Sequence, residues 1–184
     1  MGFHVFDPDR APSLEDESRY RWCSKEELLA LLTPHDGMVV ADLGSGTGFF
    51  TDDVAPSVET VYAVDVQEEM HDYYREKGLP DNVELIHASV ADLPLANDHL
   101  DAAFSVDTYH EYASDDSLAE LHRVIRPGGR VVTVDWAATG KQEAGPALSE
   151  RFALGDAVTH FTNAGFTVDR ALTRGETYIC VAHK

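Results

Sequence analysis

Lysine is nearly absent from this chain: only Lys25, Lys77, Lys141 and Lys184 occur in 184 residues. Lys and Arg together number 14 against 33 Asp and Glu, a formal charge of −19. No stretch gathers enough positive charge to meet a phosphate backbone, which argues against a nucleic-acid partner. Cysteine is almost as scarce. Cys23 and Cys180 stand far apart without C-x-x-C spacing, so they read as free thiols of a reducing cytosol rather than a disulfide or a thiolate metal site. The histidines have no metal-ligand spacing, and no metal is expected. Long apolar runs are missing too. Nothing approaches the roughly 18 residues of a membrane helix, and Met1-Gly2-Phe3-His4 opens no signal-peptide pattern. The expectation is a cytoplasmic protein that does not span a membrane.

The acids are spread along the chain (Glu15, Asp16, Glu17; Asp52, Asp53; Glu68, Glu69; Asp115, Asp116) and form no single tail. So large and even an excess, poor in lysine, has the look of a halophilic protein that works in molar salt. Self-repulsion strains its compact state unless salt screens it, and at about 1 M the Debye length is only ~3 Å. An acidic face that steers a basic substrate is the weaker alternative, because the acids are not clustered. The length suits one domain with a well-buried core.

Against this background the segment Asp42-Leu43-Gly44-Ser45-Gly46-Thr47-Gly48 stands out. It follows the apolar run Met38-Val39-Val40-Ala41 and leads into Phe49-Phe50-Thr51. Three alternate glycines between a strand and a helix let a ligand lie against bare backbone at a helix N-terminus. The next strand, Thr60-Val61-Tyr62-Ala63-Val64, ends at Asp65, where a βαβ unit presents a carboxylate to ribose hydroxyls. An adenosine-containing ligand is implied. A dinucleotide fingerprint would need a third glycine where Phe49 or Thr51 stands. The acid that leads the glycines would repel a pyrophosphate but accept a hydrogen bond from an ammonium group. Asp42 therefore favours S-adenosylmethionine over NAD.

Further along, β and α signals alternate. Residues 1–23 are polar and irregular. Ser24-Lys25-Glu26-Glu27 has the form of a capping box and opens a helix through Leu28–Leu32. Helices are expected to about Ala55, from about Glu68 to Lys77, over Asp115–Ile125 and from about Gly155 to Asn163. Strands are expected at Val83–Ile86, Asp101–Val106, after the Pro127-Gly128-Gly129 turn, at Phe166–Val168 and over Thr177–Ala182. Arg174-Gly175 makes a tight final hairpin.

Taken with Ala88-Ser89-Val90-Ala91-Asp92-Leu93-Pro94 and Arg126-Pro127-Gly128-Gly129 through Asp135-Trp136, these motifs make residues 25–184 resemble a class I S-adenosylmethionine-dependent methyltransferase. Within that superfamily the chain is similar to the small ubiquinone/menaquinone-biosynthesis-type members, those like methyltransferase domain 11. The resemblance implies an α/β, Rossmann-like, doubly wound seven-stranded sheet whose last strand is antiparallel. It divides the chain into an arm with a capping helix, residues 1–34, and a cofactor-binding body, residues 35–184. It implies cofactor contacts at Asp42, Gly44, Ser45, Gly46, Gly48, Asp65, Val66, Ser89, Val90 and Ser105. Ser89 stands where the family often has the Asp that touches adenine. Asp92 has two roles open to it, that contact or capping the Leu93-Pro94 turn.

Methyl transfer needs alignment and exclusion of water, and a base only where the acceptor must lose a proton. The cluster Asp107-Thr108-Tyr109-His110-Glu111-Tyr112 follows strand four, at the carboxyl ends of the strands, where open α/β sheets bind ligands. His110 is the candidate base, with Tyr109 and Glu111 beside it; packing between sheet and helix is the plainer role for His110 and Tyr109. Asp135 and Trp136, at the end of the fifth strand, are candidates for the pocket wall, with core packing the plainer role for Trp136, and Tyr20 and Trp22 are lid or core residues. The short Arg174-Gly175 turn before the last strand has no insertion, so acceptor choice falls to residues 1–34, 107–114 and 137–150. The leading expectation is a methyltransferase for a small-molecule acceptor, a quinone precursor being one candidate. Two alternatives are a non-catalytic S-adenosylmethionine-binding sensor or partner subunit, and a protein side-chain methyltransferase.

Overall fold

A computed structural model describes residues 6–184. Seven strands form one sheet in the order β3-β2-β1-β4-β5-β7-β6: β1 (Val39–Leu43), β2 (Thr60–Asp65), β3 (Val83–His87), β4 (Leu100–Val106), β5 (Ile125–Trp136), β6 (Thr167–Thr173) and β7 (Thr177–His183). The first five run parallel, and β7 lies antiparallel between β5 and β6. This is the doubly wound sheet with a reversed last strand that the family resemblance implies. Every residue of β4 is buried, as expected of a central strand covered on both faces.

Six helices pack on the sheet: α1 (Lys25–Leu32), α2 (Phe49–Val54), α3 (Glu68–Lys77), α4 (Tyr109–Tyr112), α5 (Asp115–Val124) and α6 (Leu154–Asn163). Two apolar clusters fill the two faces, one around Leu28, Leu32, Val54 and Tyr74, the other around Leu118, Leu121, Phe161 and Tyr178. Ser24 caps α1 by accepting the Glu27 N–H at 3.2 Å. The capping box is only half formed, because the Glu27 carboxylate accepts from Arg174 instead, at 2.6 Å.

Several regions differ from the sequence-based expectation. α4 has no expected counterpart, and β5 begins at Ile125 and runs through the Pro127-Gly128-Gly129 stretch expected to be the turn before it. The stretch read as irregular holds two 3-10 segments, Pro8–Glu15 and Glu17–Arg21, each opened by an aspartate, Asp7 or Asp16, that accepts a backbone N–H two residues on. β6 runs to Thr173, well past Val168, because the β7 ladder carries it on through a bulge at Asp169.

Candidate functional site

The glycine loop begins where β1 ends. Gly44 and Ser45 both donate to the Val64 carbonyl, at 2.8 and 2.9 Å, which turns the chain across the end of β2. Gly44, Gly46 and Gly48 have φ of 75°, 53° and 81°, a region that side chains enter only under strain. Two of them are also fixed by packing: a Cβ at Gly44 would stand 2.1 Å from Thr108 Cγ2, and one at Gly48 2.1 Å from the Tyr74 ring. Asp65 is locked against this loop. Its Oδ2 accepts the Gly46 N–H at 2.8 Å and its Oδ1 the Gln67 N–H at 2.9 Å. Each oxygen keeps a lone pair for a hydroxyl group.

A cleft of about 680 Å³ opens above the strand ends. Gly44, Ser45, Gly46, Asp65, Val66, Ser89 and Val90 line it, as do His110 and Glu111. Exposed Val66 with Val90, Ala91 and Met70 makes an apolar slot suited to a flat ring. Asp107 lies beside Arg19, at 3.6 Å. Its Oδ1, like Ser45 Oγ, is buried without a protein partner. An acid and a guanidinium side by side suit a zwitterion, and burial pushes Asp107 up to about 6 against the pull of Arg19.

Four expected site residues lie off the cleft wall. Asp42 is turned beneath the loop, where its Oδ2 accepts from Thr51 at 2.6 Å and burial pushes it up to about 7. Gly48 faces Tyr74. Ser105 accepts from the Tyr112 hydroxyl at 3.1 Å. Tyr109 points the other way from its neighbour His110: its ring stacks on Phe161 and its hydroxyl meets His160 Nδ1 at 3.0 Å. His110, Glu111 and Tyr112 line the cleft, whereas Tyr109 leaves α4 on the side packed against α6. Asp92 is exposed and also off the wall; Leu93 N–H is capped by Glu120, at 2.8 Å.

His110 is the best-supported side chain on the wall. Asp135, fully buried at the end of β5, accepts from the His110 backbone N–H at 2.8 Å and meets Nδ1 at 2.9 Å. That contact orients the ring and leaves Nε2 with a free lone pair, 3.9 Å from Glu111 Oε1. Burial alone would lower the imidazole pKa; the Asp135 hydrogen bond and charge, helped by Glu111 and Asp107, outweigh it and raise it. Glu111 is pushed up to about 7, mainly by burial, with His110 opposing.

The arm roofs the cleft. Phe6, Arg10, Ser13, Leu14, Arg19 and Trp22 line it, and Gln67 donates to the Phe6 carbonyl at 3.0 Å. Trp22 meets Trp136 edge-on with ring centroids 5.2 Å apart. Tyr20 is not on the wall: it packs on Phe49 and donates to Asp53. Sequence reasoning missed Arg19 and Arg10, and it read Asp135 only as part of the pocket wall, without its contact to His110. Arg10 and Arg19 stand in an acidic segment, among Asp7, Asp9, Glu15, Asp16 and Glu17, so nothing local set them apart from surface ion pairs.

The methyltransferase domain family matches residues 41–133, about half of the chain. A solved S-adenosylmethionine-dependent methyltransferase from Aquifex aeolicus is 31% identical, covers 97% of this chain and 98% of its own, and superposes with a TM-score of 0.86. Among curated proteins, a malonyl-[acyl-carrier protein] O-methyltransferase from Yersinia pestis is 32% identical over 144 residues, 77% of this chain and 51% of that protein. A demethylmenaquinone methyltransferase from Clavibacter sepedonicus is 34% identical over 108 residues, 58% of this chain and 44% of that protein. The chain thus spans about half the length, or less, of these curated relatives.

Proposed function

Because this chain belongs to the methyltransferase domain family and is an S-adenosylmethionine-dependent methyltransferase, we propose that it methylates a small molecule, with the His110–Asp135 pair taking the acceptor's proton. The observation that carries the reading is His110 on the cleft wall, its Nδ1 tied to buried Asp135 and its Nε2 free. The fit to the cofactor rests on separate features. Asp65 has lone pairs left for the ribose hydroxyls, the Val66–Val90 slot takes adenine, and the unpartnered Asp107 Oδ1 with Arg19 takes the ammonium and carboxylate. Asp42 supports this site from below without touching the ligand.

Bound S-adenosylmethionine supplies an activated methyl group. The chain's own residues do the rest. His110 Nε2 would accept the proton of the acceptor's nucleophilic atom as that atom takes up the methyl group the cofactor would supply. Asp135 stabilises the imidazolium that forms. Trp22, Trp136 and the arm keep water from the reacting atoms. A roof this close favours a small acceptor over a folded protein's side chain. Residues 1–34 act as the arm over the body, residues 35–184, and the free buried cysteines with the −19 charge suit a cytoplasmic, salt-adapted enzyme. Among the described residues no helix is long and apolar enough to cross a membrane.

Release of S-adenosylhomocysteine across a panel of hydroxyl, amine, thiol and carbon-acid acceptors tests the reading. Wild type should turn over at least one class, and Asp135→Asn should slow it by about 10²-fold or more. Cofactor binding without product from any acceptor would favour the non-catalytic alternative.

A further inference from the structure

The loop after β5, residues 138–147, has no helix or strand of its own, yet Ala144, Gly145 and Pro146 form part of the cleft wall. Such a segment must find partners for its backbone groups elsewhere. Five of these groups, counting Ala137 just before it, go to two side chains. Arg151 Nε donates to the Pro146 carbonyl at 3.0 Å, Nη2 to Ala144, and Nη1 to Ala137 at 3.4 Å. Glu176 Oε1 accepts the Lys141 N–H at 2.5 Å, and the Glu143 N–H also bonds to this carboxylate. The two side chains are joined to each other, Nη1 to Oε2 at 3.1 Å, and are 0% and 3% exposed.

The same pair grips the aromatic part of the wall. The Arg151 guanidinium lies over Trp136, 5.3 Å from the ring centroid. Gly145 presses so closely on that indole that a Cβ would stand 2.4 Å from it. Gly140 is closed in likewise: a Cβ there would stand 2.9 Å from both Arg151 Nη1 and Glu176 Oε2. A planar, multidentate guanidinium can hold three carbonyls and a carboxylate at fixed angles, which a lysine cannot.

We propose that Arg151 and Glu176 are positioning residues for the acceptor: they mould loop 138–147 and fix Trp136, and so set which acceptors fit the cleft. Glu176 lies in the β6–β7 turn, residues 174–176, so a turn too short to reach the cleft acts on it through the loop. The inference rests on the reading of the cleft as a methyl-transfer site whose acceptor lies against Trp136.

The test uses Glu176→Gln and Arg151→Lys in the full chain. Three quantities are read: amide hydrogen exchange in 138–147, acrylamide quenching of the two tryptophans, and S-adenosylmethionine affinity. The Lys141 and Glu143 amides should exchange about tenfold faster or more in Glu176→Gln, and quenching should rise. Cofactor affinity should stay within about twofold, since the pair touches neither the glycine loop nor Asp65. Gly145→Ala is the companion variant, because it disturbs the same wall without uncovering a buried charge. It should alter tryptophan emission and spare cofactor affinity. Exchange and quenching like wild type, or cofactor affinity lost in step with loop protection, would overturn the proposal. Wild type that fails to bind S-adenosylmethionine would instead remove the methyl-transfer reading on which it rests.

Discussion

Both oxygens of Asp65 are engaged by backbone N–H groups of Gly46 and Gln67, so the carboxylate is oriented before a ligand arrives. Asp65→Ala should weaken S-adenosylmethionine binding by about 1.5–3 kcal/mol, the scale of hydrogen bonds to a charged group; calorimetry giving wild-type affinity would remove the ribose role. His110 makes the complementary case. His110→Ala should cut turnover while leaving cofactor affinity unchanged, and equal loss of both would mark it as a structural histidine. The buried acids add a pH signature. Asp42 and Glu111, both about 7, and Asp107, about 6, hold protons to a higher pH in the folded chain than their ordinary 3.8 to 4.5. The stability they give is full below about pH 4 and is lost as pH rises through 6 to 7, where burial leaves them charged. Asp42 lies beneath the loop and takes no part, but a cationic ligand in the cleft favours the charged forms of Asp107 and Glu111, which line it. Affinity for S-adenosylmethionine should therefore rise about tenfold from about pH 5.5 to 7.5, and a flat profile by calorimetry would show that these acids do not face the ligand's charge.

The glycine loop and the arm act as units at the next scale. Gly44 combines a φ of 75° with a Thr108 methyl where a side chain would go, so Gly44→Ala should cost stability by roughly 1–3 kcal/mol from backbone strain alone, read as a lowered denaturation midpoint. The arm lines the cleft through six residues. Saturating cofactor should slow trypsin cleavage after Arg10, Arg19 and Arg21, by about tenfold; unchanged cutting would mean the arm does not close over the ligand. What was legible at this scale was whatever a local pattern encodes. The β-α alternation, the glycine turn and Asp65 follow from spacing and side-chain bulk within one βαβ unit. α4, a single turn of four residues, has too little periodicity to reveal that Tyr109 and His110 diverge. Arg19 with Asp107, His110 with Asp135 and Arg151 with Glu176 are made by tertiary contacts between separate elements, so no local reading could join them.

Across the whole molecule, charge is the term that distinguishes this chain. Among the described residues, ten of the fourteen Lys and Arg side chains pair with an acid. With 33 acids present, most carboxylates still have no cation of their own. Exposed pairs each give at most about 1 kcal/mol, too little to offset the summed repulsion. The melting temperature should therefore climb steadily from about 0.1 to 2 M KCl as screening takes hold, and a flat response would contradict salt adaptation. The sheet itself is indifferent to the acceptor, since one fold serves many chemistries through its loops; the function proposed above assigns acceptor choice to the arm, α4 and the loop held by Arg151 and Glu176. The most direct measurement supplies methyl-labelled S-adenosylmethionine and a desalted cell extract, in molar KCl, to wild type and to His110→Ala. Label entering the small-molecule fraction with wild type alone, while both proteins bind the cofactor equally, is the predicted result. Label entering protein, or equal transfer by the two, would contradict it.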